Sequence, residues 1–444
     1  MPDVTSISGD PLDLDVPLDL DEVMSHLDRL VEENLRIHEV EALNLDPASN
    51  VMNPRAEALL AAGLSTRPSL GLPGAKYETG LEAIEQIELL ASDLARRVFG
   101  VRHVELRVPS GAIANLYAFM ATCRPGDTVI VPPASIGGHV THHDAGAAGL
   151  YGLKIVEAPI DPDTLTIDVA GLAELAERTR PRLITVGGSL NLTRPPVAAI
   201  RSVADSVGAM LLFDAAHLSG MFAGGQWESP LGQGAHLMTM STYKSLGGPP
   251  SGLVCTDDDE LASRIVDIAH PGLTANFDVA KTAAMVVTLA DWIALGAEYA
   301  EAMVTTARTM AGALAASGVP VVEVGVDADR YTSSHHVAVD ATAHGGGNAV
   351  AERLRRANLL ACGIGLPPER CSVGRFETPG LRLGTPEMVR WGMGPDEAEQ
   401  VAGWIARAFE ADDGELDVIG SQVSALRRRF DRIHFVSGGP VAPR

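Results

Sequence analysis

This chain is poor in aromatic residues, cysteine and positive charge. Phe, Trp and Tyr make up only 4% of its 444 residues, and it has 4 cysteines: Cys123, Cys255, Cys362 and Cys371. No two form a CxxC pair, and a chain this long can bury a core without disulfide staples. They read as reduced thiols, which suits a cytoplasmic protein. Lys and Arg number 34 against 57 Asp and Glu, a formal net charge of −23. Such a surface argues against nucleic acid and anionic membrane as partners. The short basic cluster Arg427–Arg429 reads as a solvated helix face. No apolar run is expected to reach transmembrane length, and the acidic opening MPDVTSISGDPLDLDVPLDLDEV lacks the basic region of a signal peptide. There is no GxxxxGK[ST] segment, which excludes a nucleotide P-loop, and no GxGxxG follows a strand.

What is present is an α/β alternation. Residues 1–19, rich in Asp and Pro, read as an arm. Helical spacing follows at 20–38 (Leu20, Val23, Met24, Leu27, Leu30, Val31) and again at 81–99. Strands are expected at Thr128–Val131, Lys154–Ala158, Leu183–Val186, Ala209–Asp214 and Gly252–Thr256, with helices at 112–123, 169–178 and 197–207 between them. That order predicts a mainly parallel sheet sandwiched by helices. Residues 280–316 read as one or two Ala-rich helices. A smaller C-terminal α/β domain then follows, with strands at Val319–Val324, His335–Asp340 and Leu381–Gly384 and helices at 348–357, 395–410 and 417–430. The expected division is an arm and helix over 1–65, a large domain over 66–300 and a small domain over 301–444.

The chemistry concentrates after one strand. MLLFDAAH at 210–217 delivers Asp214 and His217, and MTMSTYKSLGGPPSG at 238–252 delivers Lys244. An isolated lysine is usually a surface residue and an acid at a strand end is often a helix cap. Here the two occur in the order that suits pyridoxal 5'-phosphate: Lys244 for the Schiff base, Asp214 to keep the pyridine nitrogen protonated. In such sheets ligands sit at the carboxyl ends of strands, which is where Asp214 falls. Pro109-Ser110-Gly111-Ala112 opens a helix, with Asn115 one turn in, and offers backbone N–H groups to a phosphate. Ser110 would equally be a plain N-cap, and Ser241 and Thr242 are further phosphate candidates. His139 and His142 have a spacing that could suit a metal, but no third ligand is evident; a planar imidazole stacked on the cofactor ring fits His139 better. Arg382, in an apolar strand, has the fork that grips a carboxylate.

Together these segments resemble the serine hydroxymethyltransferase family of fold-type-I pyridoxal-phosphate enzymes, over about residues 40–410. The strongest matches are Ser110-Gly-Ala-Ile-Ala-Asn115, Gly137-Gly-His139-Val-Thr-His142, Asp214-Ala-Ala-His217-Leu-Ser-Gly220, Thr242-Tyr-Lys244-Ser-Leu-Gly-Gly-Pro249 and Gly380-Leu-Arg382-Leu-Gly-Thr-Pro386. The resemblance implies that Lys244 carries the cofactor and Asp214 faces its pyridinium. It implies that His139 stacks on the ring, that Ser189 and His217 contact its O3′ side, and that Ser110, Gly111, Ala112 and Thr242 serve the cofactor. It places Arg382 on the substrate carboxylate, with Asn50, Tyr77 and His142 on the substrate side. Pro271-Gly272 matches a loop that reaches a partner subunit's phosphate, which implies a homodimer or a dimer of dimers.

The departures cluster in one stretch. Where the family reads Tyr-Ala-Glu-Gly-Tyr-Pro-Gly-Lys-Arg-Tyr-Tyr-Gly-Gly, this chain has Pro68-Ser-Leu-Gly-Leu-Pro-Gly-Ala-Lys-Tyr-Glu-Thr-Gly80. Leu70 stands where the family has its catalytic glutamate, Pro68 and Glu78 each replace a tyrosine, and Tyr243 replaces the histidine before the lysine. Thr274-Ala275-Asn276 replaces the Gly-Gly-Pro of the partner loop. The expectation is therefore an enzyme that makes or breaks the Cα–Cβ bond of a β-hydroxy-α-amino acid through a glycine quinonoid. It would work without tetrahydrofolate, as an aldolase or as a transaldolase with an aldehyde acceptor, and Glu78 is the candidate replacement acid. A folate-dependent glycine/serine or α-methylserine hydroxymethyltransferase, another pyridoxal-phosphate reaction (transamination, racemisation, β-elimination) and a non-catalytic pyridoxal-phosphate protein are the alternatives.

Overall fold

Seven short strands fix where everything else lies. In the computed structural model, which describes residues 19–67, 69–373 and 376–443, they are β1 (His103–Val108), β2 (Thr128–Val131), β3 (Lys154–Glu157), β4 (Leu183–Gly187), β5 (Met210–Asp214), β6 (Leu237–Ser241) and β7 (Gly252–Thr256). Their order across the sheet is β1-β7-β6-β5-β4-β2-β3, and only β7 runs antiparallel to its neighbours. Leu183, Ile184, Leu211, Leu212, Phe213 and Leu237 are buried, so the central strands are covered on both faces, as a mainly parallel sheet requires.

The covering helices begin and end where local chemistry dictates. The helix α1 (Leu20–Leu35) is capped by Asp19; α2 (Glu82–Phe99) stops at Gly100, which takes a left-handed conformation. Ser110 caps α3 (Gly111–Thr122), accepting the Ile113 amide at 3.3 Å. The helices α4 (Val169–Thr179) and α5 (Val197–Val207) follow, and α6 runs unbroken over Val279–Ala316. A smaller antiparallel sheet has β8 (His336–Asp340) beside β10 (Gly380–Gly384), which also pairs with β9 (Cys362–Ile364); α7 (Gly347–Arg356), α8 (Pro395–Glu410) and α9 (Asp413–Arg427) complete the chain.

Several expectations need correction. The strands β1 and β6 were not foreseen: β1 turns Glu105 and Arg107 inward as a buried pair, which breaks its apolar pattern. The strand expected over Val319–Val324 is reduced to a single bridge, Val321 to Val339. The boundary placed at 300 falls inside α6, and Leu43–Asn44 pairs in parallel with Leu359–Leu360, tying the first segment to the last. By length and composition α6 could cross a membrane, contrary to expectation; its Met285, Leu289, Trp292, Tyr299 and Met303 are instead buried in the protein core. Arg427 is no solvated residue: it is buried, its guanidinium 3.7 Å from the Trp391 ring centroid. The arm expected over 1–19 lies outside the described residues except for Asp19, as does Pro68.

Candidate active site

Asp214 is the last residue of β5 and is almost wholly buried. Its Oδ2 accepts from Asn115 Nδ2 at 2.9 Å and pairs with His142 Nε2 at 2.8 Å; its Oδ1 accepts from the Ala216 amide at 2.9 Å. Burial by itself would raise its pKa, but the His142 contact and charge, then His139 and the Ala216 N–H, outweigh it and hold the carboxyl well below the usual carboxylate range. The acid is thus kept ionised in a dry site. Around it, Thr239 donates to Asn115 Oδ1 at 2.7 Å, Asn115 donates to Thr141 Oγ1 at 2.9 Å, and Thr141 Oγ1 lies 2.8 Å from His139 Nδ1. His142, expected on the substrate side, is placed behind Asp214 instead, with its ring edge-on to Phe119.

Lys244 follows β6 in the connection to β7. It is buried, with Nζ 3.0 Å from His217 Nε2, and burial is the main cause that pulls its pKa down to about 8. His217 is held neutral, first by burial and then by Lys244 and Arg382. Ser245 Oγ donates to the His217 carbonyl at 2.6 Å and fixes that turn. Asn50 Nδ2 donates to the Lys244 carbonyl at 3.1 Å and to the Tyr299 hydroxyl at 2.9 Å, so it braces the lysine's own backbone.

Arg382, on β10, completes the cluster from the small sheet. Its Nη1 donates to the Ser189 carbonyl at 2.5 Å and lies 3.5 Å from His217 Nε2; its Nη2 meets Asp46 Oδ1 at 3.2 Å and Cys362 Sγ at 3.0 Å. His335 and His336 are buried beside it, their rings 4.2 Å apart and the His336 ring 5.3 Å from that of His217. Asp46, His335 and His336 escaped the sequence reading. Nothing local marks them: Asp46 and Arg382 are joined across 336 positions.

The start of α3 forms the remaining edge. A Cβ on Gly111 would run into Ser241 Oγ, so the α3 N-terminus lies directly against the Ser241 side chain at the end of β6. Thr242, in contrast, has its hydroxyl engaged inside its own loop, donating to the Pro249 carbonyl and accepting the Ser251 amide at 3.0 Å. Ser241 is therefore better placed than Thr242 to serve a phosphate. Tyr77 and Gly272 are exposed and are not gathered at Lys244 within one chain. Glu78 is half-buried, its Oε2 accepting the Leu70 amide at 3.1 Å.

Pyridoxal phosphate fits what is present. A buried amine of lowered pKa, a carboxylate kept ionised, and an open helix N-terminus with serines on both sides are the groups its aldehyde, ring nitrogen and phosphate require. Buried polar atoms around Lys244, among them His217 Nδ1, Arg382 Nε and His336 Nε2, have no partner among the described residues, as the lining of a polar ligand site would.

The comparisons with known proteins agree. The family model for serine hydroxymethyltransferase matches residues 20–405. An alpha-methylserine aldolase of Variovorax paradoxus is 57% identical over 414 residues, covering 93% of this chain and 92% of the relative; one of a Ralstonia species is 51% identical over 408 residues, covering 91% of each. A serine hydroxymethyltransferase of Pyrobaculum islandicum is 39% identical over 396 residues, covering 89% of this chain and 90% of the relative. With the matched segments folded around Lys244, Asp214 and Arg382, the chain belongs to the serine hydroxymethyltransferase family of pyridoxal-phosphate-dependent enzymes.

Proposed function

We propose that this enzyme is a folate-independent aldolase that splits α-methylserine into alanine and formaldehyde. The observation that carries the reading is Leu70. It stands where the family has the glutamate that handles protons on the hydroxyl and on folate, and a leucine can do neither. The relatives named alpha-methylserine aldolase, at 51–57% identity against 39% for a hydroxymethyltransferase, support the choice of substrate. The reaction balances without a second substrate: the Cα–Cβ bond breaks, the hydroxyl loses its proton as the carbonyl of formaldehyde forms, and Cα gains a proton.

When bound, the cofactor supplies a conjugated cation that disperses the electron pair left on Cα. The chain supplies the rest. Asp214, kept charged by Asn115, His142 and the Ala216 amide, holds the proton on the ring nitrogen. Lys244 is poised to be an unprotonated amine, and the neutral His217, with Nε2 at 3.0 Å, holds its Nζ in place. Arg382 orients the amino acid through its carboxylate. Ser110, Gly111 and Ser241 would hold the phosphate, and His139 would pack on the ring. Glu78, whose carboxylate is folded onto the backbone of residue 70, takes the proton of the substrate hydroxyl. Tyr77, Glu78 and Gly272 do this work across a homodimer interface, which accounts for the exposure of Tyr77 and Gly272 in a single chain.

The test is product analysis. Holoenzyme incubated with α-methylserine should release alanine and formaldehyde in equal amounts, with no change on adding tetrahydrofolate. Folate-stimulated cleavage of serine would instead make it a hydroxymethyltransferase. A new β-hydroxy amino acid formed with an added aldehyde would make it a transaldolase.

A further inference from the structure

Around Lys244 the chain gathers groups able to carry positive charge: Arg382, His217, His335 and His336. One carboxylate from a distant segment reaches into this cluster. Asp46 Oδ1 contacts Arg382 Nη2 at 3.2 Å, accepts from Cys362 Sγ at 3.3 Å and receives the Ala48 amide at 3.0 Å, which closes a turn. The Arg382 side chain is 7% exposed and that of Asp46 31%, so the pair lies at the lip of the buried site. The other guanidinium hydrogens are unevenly used: Nη1 is on the Ser189 carbonyl, Nη2 is shared with Cys362 Sγ, and Nε has no partner among the described residues.

We propose that Asp46 is a resident carboxylate on Arg382, a positioning residue that holds the guanidinium before the amino acid arrives and sets how tightly carboxylate ligands bind. This rests on the reading of Arg382 as the anchor of the substrate carboxylate. A guanidinium without a counter-charge is costly in a buried site, and Asp46 keeps it paired and aimed. An incoming carboxylate finds Nε free but must share or displace Asp46 at Nη2. Two like charges on one guanidinium repel, even at an effective dielectric constant of about 20. The substrate is therefore held less tightly than Arg382 alone would hold it, and a carboxylate product is released more readily.

The experiment titrates holoenzyme, followed by its visible absorbance, with glycine and with glycinamide, which lacks the carboxylate. Asp46→Asn keeps an oxygen for the Ala48 amide and for Arg382 while removing the charge. It should bind glycine on the order of tenfold more tightly and leave glycinamide binding unchanged within about twofold. Asp46→Ser, whose hydroxyl can still accept the Ala48 amide, should shift in the same direction and serves if the asparagine variant folds poorly. Unchanged or weaker glycine binding, or an equal shift for glycine and glycinamide, would overturn the proposal. Glycine binding is read whether or not α-methylserine is cleaved, so failure of the aldolase reading and failure of this one are separate results.

Discussion

At the scale of single residues, the site depends on the protonation states that burial selects. A lysine amine in water is about 0.03% unprotonated at pH 7. With its pKa drawn down to about 8, Lys244 reaches on the order of a tenth. The sign follows: the amine gains reactivity as pH rises through 8 and gains little beyond 9. Reconstitution of apoenzyme with pyridoxal phosphate, followed by absorbance, should therefore speed up about tenfold between pH 7 and pH 9 and then level off. A flat profile would mean that another step limits capture. Glu78→Gln tests the proton acceptor: it should lower turnover on the order of a hundredfold while glycine still binds. Unchanged turnover would assign the proton elsewhere. Asp214 was legible in the sequence because it ends an apolar strand, and Lys244 because its Ser, Thr, Gly and Pro neighbours follow that acid in an order that carries chemical meaning. The role of His142 was not, since its spacing to His139 fits several ligands equally well, and only the fold shows Asp214 between them in the network.

At the scale of elements, the least conventional piece is the small hairpin of Gly71–Leu72 and Ala75–Lys76, flanked by Leu70 and Glu78. Lys76 Nζ lies 2.5 Å from Glu88 Oε1 on α2, both side chains buried, and donates to the Gly71 carbonyl at 2.9 Å. Ser69 Oγ donates to the same Glu88 oxygen at 3.2 Å, and the Ser69 amide donates to Asn276 Oδ1 at 3.0 Å. The stretch around Leu70 is thus bolted to α2 and to the loop after Gly272. Lys76→Met should cost about 3 kcal/mol, because it strands a buried carboxylate. Lys76→Met with Glu88→Leu should recover much of that loss in denaturant melts, whereas additive losses would show that the pair does not act as a unit. Sequence periodicity could not have foreseen this, nor the strand β1, because paired charges turned inward look like surface residues until both partners are known.

At the scale of the whole molecule, nothing among the described residues covers α1. Leu20, Val23, Met24, Leu27, Leu30, Val31 and Leu35 are 37–65% exposed, a stripe along one helix. Together with exposed Tyr77 and Gly272, it supports the homodimer reading. Light scattering should give the mass of a dimer or of a dimer of dimers, and Leu27→Asp with Val31→Asp should drive the mass down and activity with it. A monomer of full activity would overturn the shared site. The mainly parallel sheet and the small C-terminal sheet could be read from the alternation of strands and helices, whereas the division between domains could not, because α6 passes through both without a break in its apolar pattern.

The antiparallel course of β7 also constrains how this enzyme can vary. A parallel successor to β6 would need a long crossover, with its slack and its tolerance for insertions. The return strand instead begins at Gly252, packed against β1 and β6, so the lysine rides on a connection pinned at both ends. An insertion into that connection should therefore displace Lys244 from His217, because neither end can move to absorb it. The place of the lysine is thus set by chain length as well as by its contacts, and insertions should be tolerated far less there than in an exposed loop.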